Sequence, residues 1–559
     1  MGTSLSRLRL ALDAVRQTVA VYEELNRRVQ QSPGIPVPGP STPYWAMPPA
    51  PIAQHGADSE AIPLPEYADV VIIGSGISGA AIARTMLGLC SKPDSEGGLP
   101  QIVMLEARDA CSGATGRNGG HITPPLFHDY LRIKEEVGVD MAKAIIRFRL
   151  AHLAELLRVA EEDEILEDSQ CREVDTCRNS AGVWRIVDKE ECIKDLQFSQ
   201  KVVGAIATSA GVIHPYRFVT GILSRLLAKY PTNFRLFTHT PCLKISSGAS
   251  NKRQEPFYTV LTSRGTIRAR HVVHATNGWV SHLLPAMRGK IAPIRGHMTA
   301  QRPGTGLGRT HASEVGPRDS TLTLAATGAA DSWLGTRSFV MIGNGRYDYL
   351  TQQPSQSSSS SSSLYPIPAG ELMLGGGLAR AELAEGAFVR EVGNADDRDY
   401  DMDTGAYLGG ALSMYFGGWG AEGRDLESKR RADEDSEEGR VKKLWTGVMG
   451  VSADGRPWVG RLSAKMSARA TPRAKKIRAT TYSADKPGHG YPLAPPGEWI
   501  CAGYSGEGMV HAYLCAKALA HMICGKEEAG AGLPDALLVS DARWKKANLE
   551  DLVKGFVVE

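Results

Sequence analysis

Residues 69–83 read DVVIIGSGISGAAIA. Val70 to Ile73 is a short apolar run of the kind that forms a buried parallel strand, and it stops at Gly74-Ser75-Gly76. After Ile77, Ser78 and Gly79 the apolar spacing turns helical, from Ala80 to Leu89. The stretch is a strand, a glycine turn and a helix start. Each glycine has its own task. Gly74 makes the tight turn, Gly76 lets the backbone approach a pyrophosphate, and Gly79 lets the helix lie close to the strand. The phosphates would sit at the helix N-terminus, where unsatisfied N–H groups and the positive end of the dipole favour an anion.

A G-x-G-x-x-G pattern alone decides little in a chain with 60 glycines in 559 residues. A second match, Gly418, Gly420 and Gly423, runs into RDLESKRRADEDSEEGR, which has no apolar helical face and reads as chance. The first match has the context that the second lacks. Another apolar strand, Gln101 to Leu105, ends in Glu106, 27 residues after Gly79. A carboxylate there accepts hydrogen bonds from the adenosine ribose hydroxyls and repels a 2′-phosphate. The long spacing is taken up by SKPDSEGGLP, a loop between helix and strand.

With 42% hydrophobic residues the chain can build large cores and is expected to hold two structural domains. A net charge of +3, with the basic residues scattered, gives no footing for nucleic acid. The nine cysteines (90, 111, 171, 177, 192, 242, 501, 515 and 524) form no CxxC pair and their number is odd. Reduced thiols in an intracellular protein are expected, with no metal site. No apolar window is long enough to span a bilayer, so a cytoplasmic location is expected. The first residues, MGTSLSRLRLALDAVRQTVAVYEEL, are amphipathic, with three arginines before the first glutamate, in the manner of a mitochondrial presequence. Asp13, Glu23 and Glu24 argue instead for a surface helix, and Met1-Gly2 with Ser6 matches the minimal myristoylation pattern.

Residues 30–66 are proline-rich and read as an extended arm lying on the body. Val139, Ile146, Leu150, Leu153, Leu157 and Ala160 form the apolar stripe of a helix from Val137 to Ala160. Tyr216 to Ala228 reads as a helix, and Phe237–Ile245, Tyr258–Thr262 and His271–Ala275 as strands. Strands dominate from Ile291 to Leu444. The serine run Ser357–Ser363, the charged stretch 424–443 and the basic stretch Ala464–Pro496 read as surface insertions. EWICAGYSGEGMVHAYLCAKALAHMI is again strand, glycine turn and helix.

Five blocks in this order, VVIIGSGISGAAIA, LEARDACSGATGRNGGH, VHATNGW, MGVSADGRPWVG and CAGYSGEGMVHAY, resemble the FAD-dependent oxidoreductases of the D-amino-acid oxidase type. The style is that of the sarcosine oxidase and gamma-glutamylputrescine oxidoreductase branch. The resemblance implies an α/β fold with a Rossmann-like FAD-binding domain, a parallel sheet with helices, assembled from several segments. An antiparallel-sheet substrate domain completes it. On this reading residues 1–66 form the N-terminal helix and arm, and 67–127, 204–290 and 441–530 the three segments of the FAD domain, the last carrying the basic insertion 464–496. Residues 128–203 and 291–440 form the substrate domain, and 531–559 a C-terminal tail.

Carried over by position, Gly74, Ser75, Gly76, Ile77 and Gly79 would face the pyrophosphate and Glu106 the ribose. Ala107, Arg108, Ser112, Gly113, Ala114, Arg117, Asn118, Gly119 and Gly120 would line the flavin side, and the Cys242 backbone would meet the adenine. Ala275, Thr276, Asn277 and Gly278 would pass near the cofactor. Gly503, Tyr504, Ser505, Gly506, Glu507, Gly508 and Met509 would close over the isoalloxazine. Glycine-rich turns give N–H groups to the ring's carbonyl edge without crowding it. Where some relatives carry a flavin-linking cysteine this chain has Thr446, Gly447 and Val448, and CSGATGRN holds no histidine, so FAD is expected to be non-covalent. Cys111 is the thiol in that loop that could form a link.

The absence of a second dinucleotide unit disfavours a nicotinamide-reduced monooxygenase. The remaining chemistry is oxidation of a C–N bond of a small amine or amino acid by hydride transfer to flavin N5, with imine hydrolysis and reoxidation by oxygen to peroxide. Such a step needs positioning and desolvation more than a strong base. The catalytic candidates are His121 and Asn118 in the glycine loop and Arg295 and Arg346 in the substrate region. His297, Tyr347 and Trp419 are further candidates there, although Arg295 and His297 equally suit solvent-facing strand positions and Trp419 a core anchor. His214, before Pro215, reads as structural. The rival readings are a dehydrogenase with another electron acceptor and a flavin-binding scaffold. No oligomeric state is assigned.

Overall fold

The computed structural model describes residues 2–58, 62–91, 98–124, 129–175, 185–250, 253–302, 335–343, 346–354, 370–377, 387–417, 419, 439–472, 493–526 and 532–548. Along the chain run α1 (Gly2–Gln30), β1 (Tyr67–Ile73), α2 (Ile77–Cys90), β2 (Ile102–Leu105), α3 (Val139–Glu162), α4 (Pro215–Lys229), β3 (Phe234–Phe237) and β4 (Gly265–His274). Then come β5 (Ile291–Gln301), β6 (Ser338–Gly343), β7 (Arg346–Gln352), β8 (Leu372–Gly376), α5 (Met402–Tyr415), β9 (Val441–Ser452), β10 (Trp458–Arg461), β11 (Gly497–Ala502) and α6 (Ala512–Ile523).

The first sheet has the order β10-β11-β4-β1-β2-β3. Of these six, all but the edge strand β10 are parallel, and a hairpin joins the sheet antiparallel to β4. Parallel strands are covered on both faces and so are apolar throughout, which is why Val70, Val71 and Ile72 are all fully buried. α2 and α6 pack with Val70 and Ile72 in one core. A hairpin, Cys242–Ser250 with Arg253–Thr262, packs Ile245, Tyr258 and Val260 with Val71 and Val103 in another. The chain builds β1, β2 and β3 outward, then returns to add β4 and β11 on the other side of β1. The strand order reverses between β1 and β4, and a crevice opens outside their carboxyl ends at such a reversal.

The second sheet is antiparallel, in the order β6-β7-β8-β5-β9. α5 buries Leu408, Ala411 and Leu412 against Phe339, Leu350, Leu372 and Leu374. Tyr347 and Tyr349 project from β7 toward the crevice, between residues that face α5. Together the two sheets give the α/β fold with an added antiparallel domain.

Some elements depart from the expected pattern. α3 buries the expected stripe only in part: Ala160 is buried and Leu153 and Leu157 pack against the core, but Val139 and Leu150 are exposed and Ile145, Phe148, His152, Leu156 and Val159 are buried beside them. The face is rotated because Arg149 and His152 are turned inward to meet His511 and the Leu514 backbone. The strand expected over Phe237–Ile245 is two strands, β3 and the first hairpin strand, with a bend between them. The basic stretch begins folded: Ala464–Ser467 is a short helix, Met466 is buried and Arg469 pairs with Glu498. The serine run, Gly418, Gly420 and Gly423 lie outside the described residues. α1 buries Leu25 and Val29 near its end and leaves Leu10, Leu12 and Val15 exposed.

Candidate active site

The crevice at the carboxyl ends of β1, β2 and β4 is a cavity of about 530 Å³. Pro241, Cys242, Leu105, Glu106 and Ala107 line it where the first sheet ends; Met298, Tyr347 and Tyr349 line it where the second begins. Gly74, Ser75, Gly76 and Ile77 form its floor at the start of α2. The cap residue of that helix, Gly76, has no side chain to satisfy the first N–H groups, and the Ile77 N–H donates instead to Thr115 Oγ1 at 3.0 Å. Three glycines hold the cradle's shape. At Gly79 an added Cβ would stand 2.1 Å from the Gly74 carbonyl oxygen, so only glycine lets α2 press onto β1. At Gly74, with φ of +110°, it would stand 2.5 Å from the Ala275 carbonyl oxygen, and at Gly76 2.9 Å from Thr115 Oγ1.

Glu106 is fixed at the end of β2. Its Oε2 accepts from Ser75 N–H at 3.2 Å and Ser75 Oγ at 2.7 Å, and its Oε1 from Arg108 N–H at 3.1 Å. Oε2 thus has both lone pairs engaged, and Oε1 keeps one for a donor in the cavity. Thr276 Oγ1 and Trp279 Nε1, from two residues that line the same cavity, are buried with no hydrogen-bond partner among the described residues. Buried polar atoms without partners are costly, and here they suit a ligand with both donors and acceptors. Asn277, with φ of +41°, lines the cavity, and its Oδ1 accepts from Gly503 N–H at 3.0 Å and so ties the turn after β4 to the turn after β11. The glycine cradle, the carboxylate at the end of β2 and the orphaned polar atoms fit a dinucleotide such as FAD.

The two arginines of the glycine loop line this cavity but are held by a residue that the sequence does not single out. Asp397, fully buried, accepts from Arg108 Nη1 at 2.8 Å and Nη2 at 3.1 Å, and Arg117 Nε lies 3.6 Å away. Arg117 also donates to the carbonyls of Ser112, Ser41 and Thr446, and its burial lowers its pKa to about 10. Two guanidinium groups share one carboxylate, which leaves net positive charge beside the cradle. The proline-rich arm is part of the site as well: Gly34, Ile35 and Pro36 line the cavity, and buried Trp45 donates to the Asn118 carbonyl.

A second and larger cavity, about 2180 Å³, adjoins the first. Asn118, Tyr347, Tyr349, Val451, Ser505, Gly506 and Met509 line both. Its further walls include His121, Ser338, Phe339, Met341, Tyr407, Met414 and Tyr415. His121 sits here rather than in the cradle, its Nε2 2.9 Å from Ser338 Oγ and its ring stacked 6.3 Å from Tyr349. Burial pushes its pKa down to about 3, so the imidazole is neutral.

The structure brings together only part of the expected set. Gly113, Ala114, Ala275, Tyr504 and Gly508 line the cradle. Ser112, Gly120, Gly278 and Gly503 lie behind it as supports: a Cβ on Gly120 would meet the Ile213 carbonyl, and one on Gly278 the Met449 carbonyl. Gly119 lines the larger cavity, packed on the Tyr349 ring. Glu507 turns to Arg149, 3.0 Å away, and a 3-10 turn, Gly508–Val510, separates the glycine turn from α6. Asn118 closes its own loop, donating to the Ala114 and Thr115 carbonyls and accepting from Gly120 N–H. Arg295 is spent on Glu391 and on the carbonyls of Asp396 and Asp399, and it lines neither cavity. The Arg346 side chain lies outside the described residues. Cys111 is fully buried with its thiol pKa raised, and it lines neither cavity. His214 caps α4 through Nδ1, and Trp419 is buried beneath Arg440. Missed by the sequence reading are Asp397, Tyr349, Tyr407 and Tyr415, side chains contributed from distant segments with no periodic signal of their own.

Comparison with known proteins agrees with this geometry. The probable oxidoreductase OrdL of Rhizobium meliloti (strain 1021) is 28% identical over 253 residues, which is 42% of this chain and 54% of the relative, so the match spans about half of that protein. Among solved structures, glycine oxidase from Geobacillus kaustophilus superposes with a TM-score of 0.52 at 14% identity, over 85% of this chain and 99% of the other. L-proline dehydrogenase from P. horikoshii does so with 0.51 at 15% identity, over 87% of this chain and all of the other, 100%. These two share the fold. The model of the FAD dependent oxidoreductases, the DAO family, matches residues 69–522, most of the sequence, and the chain belongs to that family.

Proposed function

We propose that this FAD-dependent oxidoreductase oxidises a C–N bond of a small amine or amino acid to an imine, which water then hydrolyses. The observation that carries this is the junction of the two cavities: a group held in the cradle is presented, past Tyr347, Tyr349, Gly506 and Met509, to a ligand in the larger cavity. FAD, held by the cradle residues, would supply the hydride acceptor, with oxygen as the expected acceptor of the electron pair.

The chain's own residues supply the cradle, orientation and desolvation. Ser75, Gly76 and Glu106 would hold the nucleotide part, and Thr276 and Trp279 would give their orphaned groups to the cofactor. Tyr349, packed on Gly119 and with its hydroxyl 3.0 Å from Met298 Sδ, walls the junction. An amine gives up hydride only when neutral, and a dry aromatic wall favours that form. A neutral His121 adds no positive charge beside it and can hold a polar group of the substrate by hydrogen bond.

The test is a visible spectrum of the purified protein and of the supernatant after acid precipitation, then an anaerobic screen of amines and amino acids for bleaching of the flavin bands. We expect flavin in the supernatant, bleaching by an amine or amino acid, and peroxide when air is admitted. Bleaching without peroxide would assign another electron acceptor. Bound FAD that no amine or amino acid bleaches would overturn the proposal in favour of a flavin-binding scaffold.

A further inference from the structure

The larger cavity carries a polarity of its own. Asp348, between the two cavity-facing tyrosines of β7, turns the other way and is 1% exposed. Its Oδ1 accepts the Gly377 N–H at 2.7 Å, and its Oδ2 accepts the hydroxyls of Tyr407 and of Tyr415, the latter at 2.6 Å. The two tyrosines stand on α5, with their hydroxyl oxygens 3.0 Å apart, and both line the cavity.

A carboxylate accepts and a hydroxyl has one proton to donate, so each tyrosine has committed its proton to Asp348. Contacts this short are charge-assisted. Burial and the neighbouring carboxylate also raise the Tyr415 pKa, which keeps its proton in place. The phenol oxygens can therefore offer a cavity ligand only lone pairs, backed by a buried negative charge. A ligand carboxylate would meet lone pairs and a like charge. An ammonium group would donate N–H bonds to both oxygens and gain from the adjacent ring faces. Other cations line the same cavity: Arg132 and Arg456 share Glu136, Arg543 pairs with Asp454, and Lys189, Lys201 and Lys546 also reach it, so the preference for an ammonium is local to the two phenol oxygens.

We infer that Tyr407 and Tyr415, polarised by Asp348, form a recognition site for an alkylammonium group. The inference rests on the proposed C–N oxidation and deepens it. The nitrogen that is oxidised has to be neutral, so the cation held here is a second nitrogen, and the substrate class is a diamine or longer polyamine rather than a simple amino acid.

Calorimetric titration of the FAD-loaded protein with tert-butylammonium and with pivalate, its carboxylate isostere, tests the site. Neither probe has a hydrogen on the carbon bearing its charged group, so neither can be oxidised, and binding is read independently of whether the C–N reaction occurs. We expect tert-butylammonium to bind at least about tenfold more tightly than pivalate. Tyr407→Phe with Tyr415→Phe should reduce that preference by about tenfold or more while FAD content is retained. Asp348→Asn would donate its amide N–H to the phenol oxygens, turn their protons toward the cavity and move the preference to pivalate. Tighter binding of pivalate by the unaltered protein, no binding of either probe, or an unchanged preference in the double tyrosine variant would overturn the site.

Discussion

The two cavities that meet at Tyr349 are built by opposite means. The cradle is a backbone surface: its shape depends on positions such as Gly74 and Gly79 where a Cβ would strike a carbonyl oxygen at 2.5 and 2.1 Å. The larger cavity is a side-chain surface, in which His121, Tyr349, Tyr407 and Tyr415 come from separate stretches and are pinned by hydrogen bonds to Ser338, Met298 and Asp348. A backbone surface tolerates no added atom but needs no particular side chain. A side-chain surface tolerates reshaping but depends on its anchors. The cradle suits a cofactor that many proteins share, and the other cavity a substrate that few do.

The largest effect should come from breaking the backbone surface. Gly79→Ala places a methyl against the Gly74 carbonyl, and neither group is the end of a flexible side chain, so α2 has to leave β1. We expect a loss of roughly 4 kcal/mol or more and no FAD-loaded protein, read from flavin content and thermal unfolding. A folded, flavin-bearing Gly79→Ala protein would mean that the cradle is more pliant than the contact implies. Next comes the knot beneath it. Asp397→Asn leaves Arg108 and Arg117 buried without their shared carboxylate, which should cost about 3–5 kcal/mol by denaturant unfolding.

The difference between the cavities also explains how much of each is legible in the sequence. The cradle is local: strand, turn and helix are contiguous, and glycine is required where no side chain fits, so residues 69–83 identify it once the strand that ends in Glu106 is read with them. Glu106 can be placed from strand length and spacing. Asp397 is 289 residues from Arg108 in the chain and carries no pattern, so the pairing is visible only once the fold brings them together. Arg295 is misjudged from sequence for the same reason, since its partner Glu391 lies 96 residues away. The first half of the α3 stripe is misread because periodicity ranks apolar residues, whereas the buried face there includes Arg149 and His152, whose partners come from α6 and the turn before it. The arm is recognisable as a covering segment; that Ile35 and Pro36 reach the cavity depends on where the arm lies, which proline content does not tell.

Acid tests both surfaces, because one imidazole stands in each: His121 lines the larger cavity and His297 the first. Burial lowers the pKa of His121 to about 3 and of His297 to about 4, from 6.5. Below the unfolded value the unfolded chain takes up protons that the folded chain refuses, so their contribution is complete above pH 6.5 and is lost as pH falls toward 4. At a pH of about 5.5 each should cost about 1.4 kcal/mol, or about 3 kcal/mol for the two. His121→Gln and His297→Gln should each flatten the pH dependence of the unfolding midpoint over that window. An unchanged slope would place the acid sensitivity elsewhere.

The smallest effects separate charge from shape within the cradle. Glu106→Gln keeps the side chain's length and removes its charge, so folding should survive while FAD affinity falls by roughly 1–3 kcal/mol, measured by flavin titration of the apoprotein. Gly88→Ala is the counterpart to Gly79→Ala. Both glycines lie in α2, but nothing stands within 4 Å of a Cβ at Gly88. There alanine only improves helix propensity, and we expect a gain of roughly 0.5–1 kcal/mol in thermal stability with flavin content unchanged. One substitution with opposite signs nine residues apart in the same helix would locate the constraint in the contact with β1. Equal losses at both positions would instead mean that α2 tolerates no change anywhere, and the backbone surface would then extend beyond the cradle.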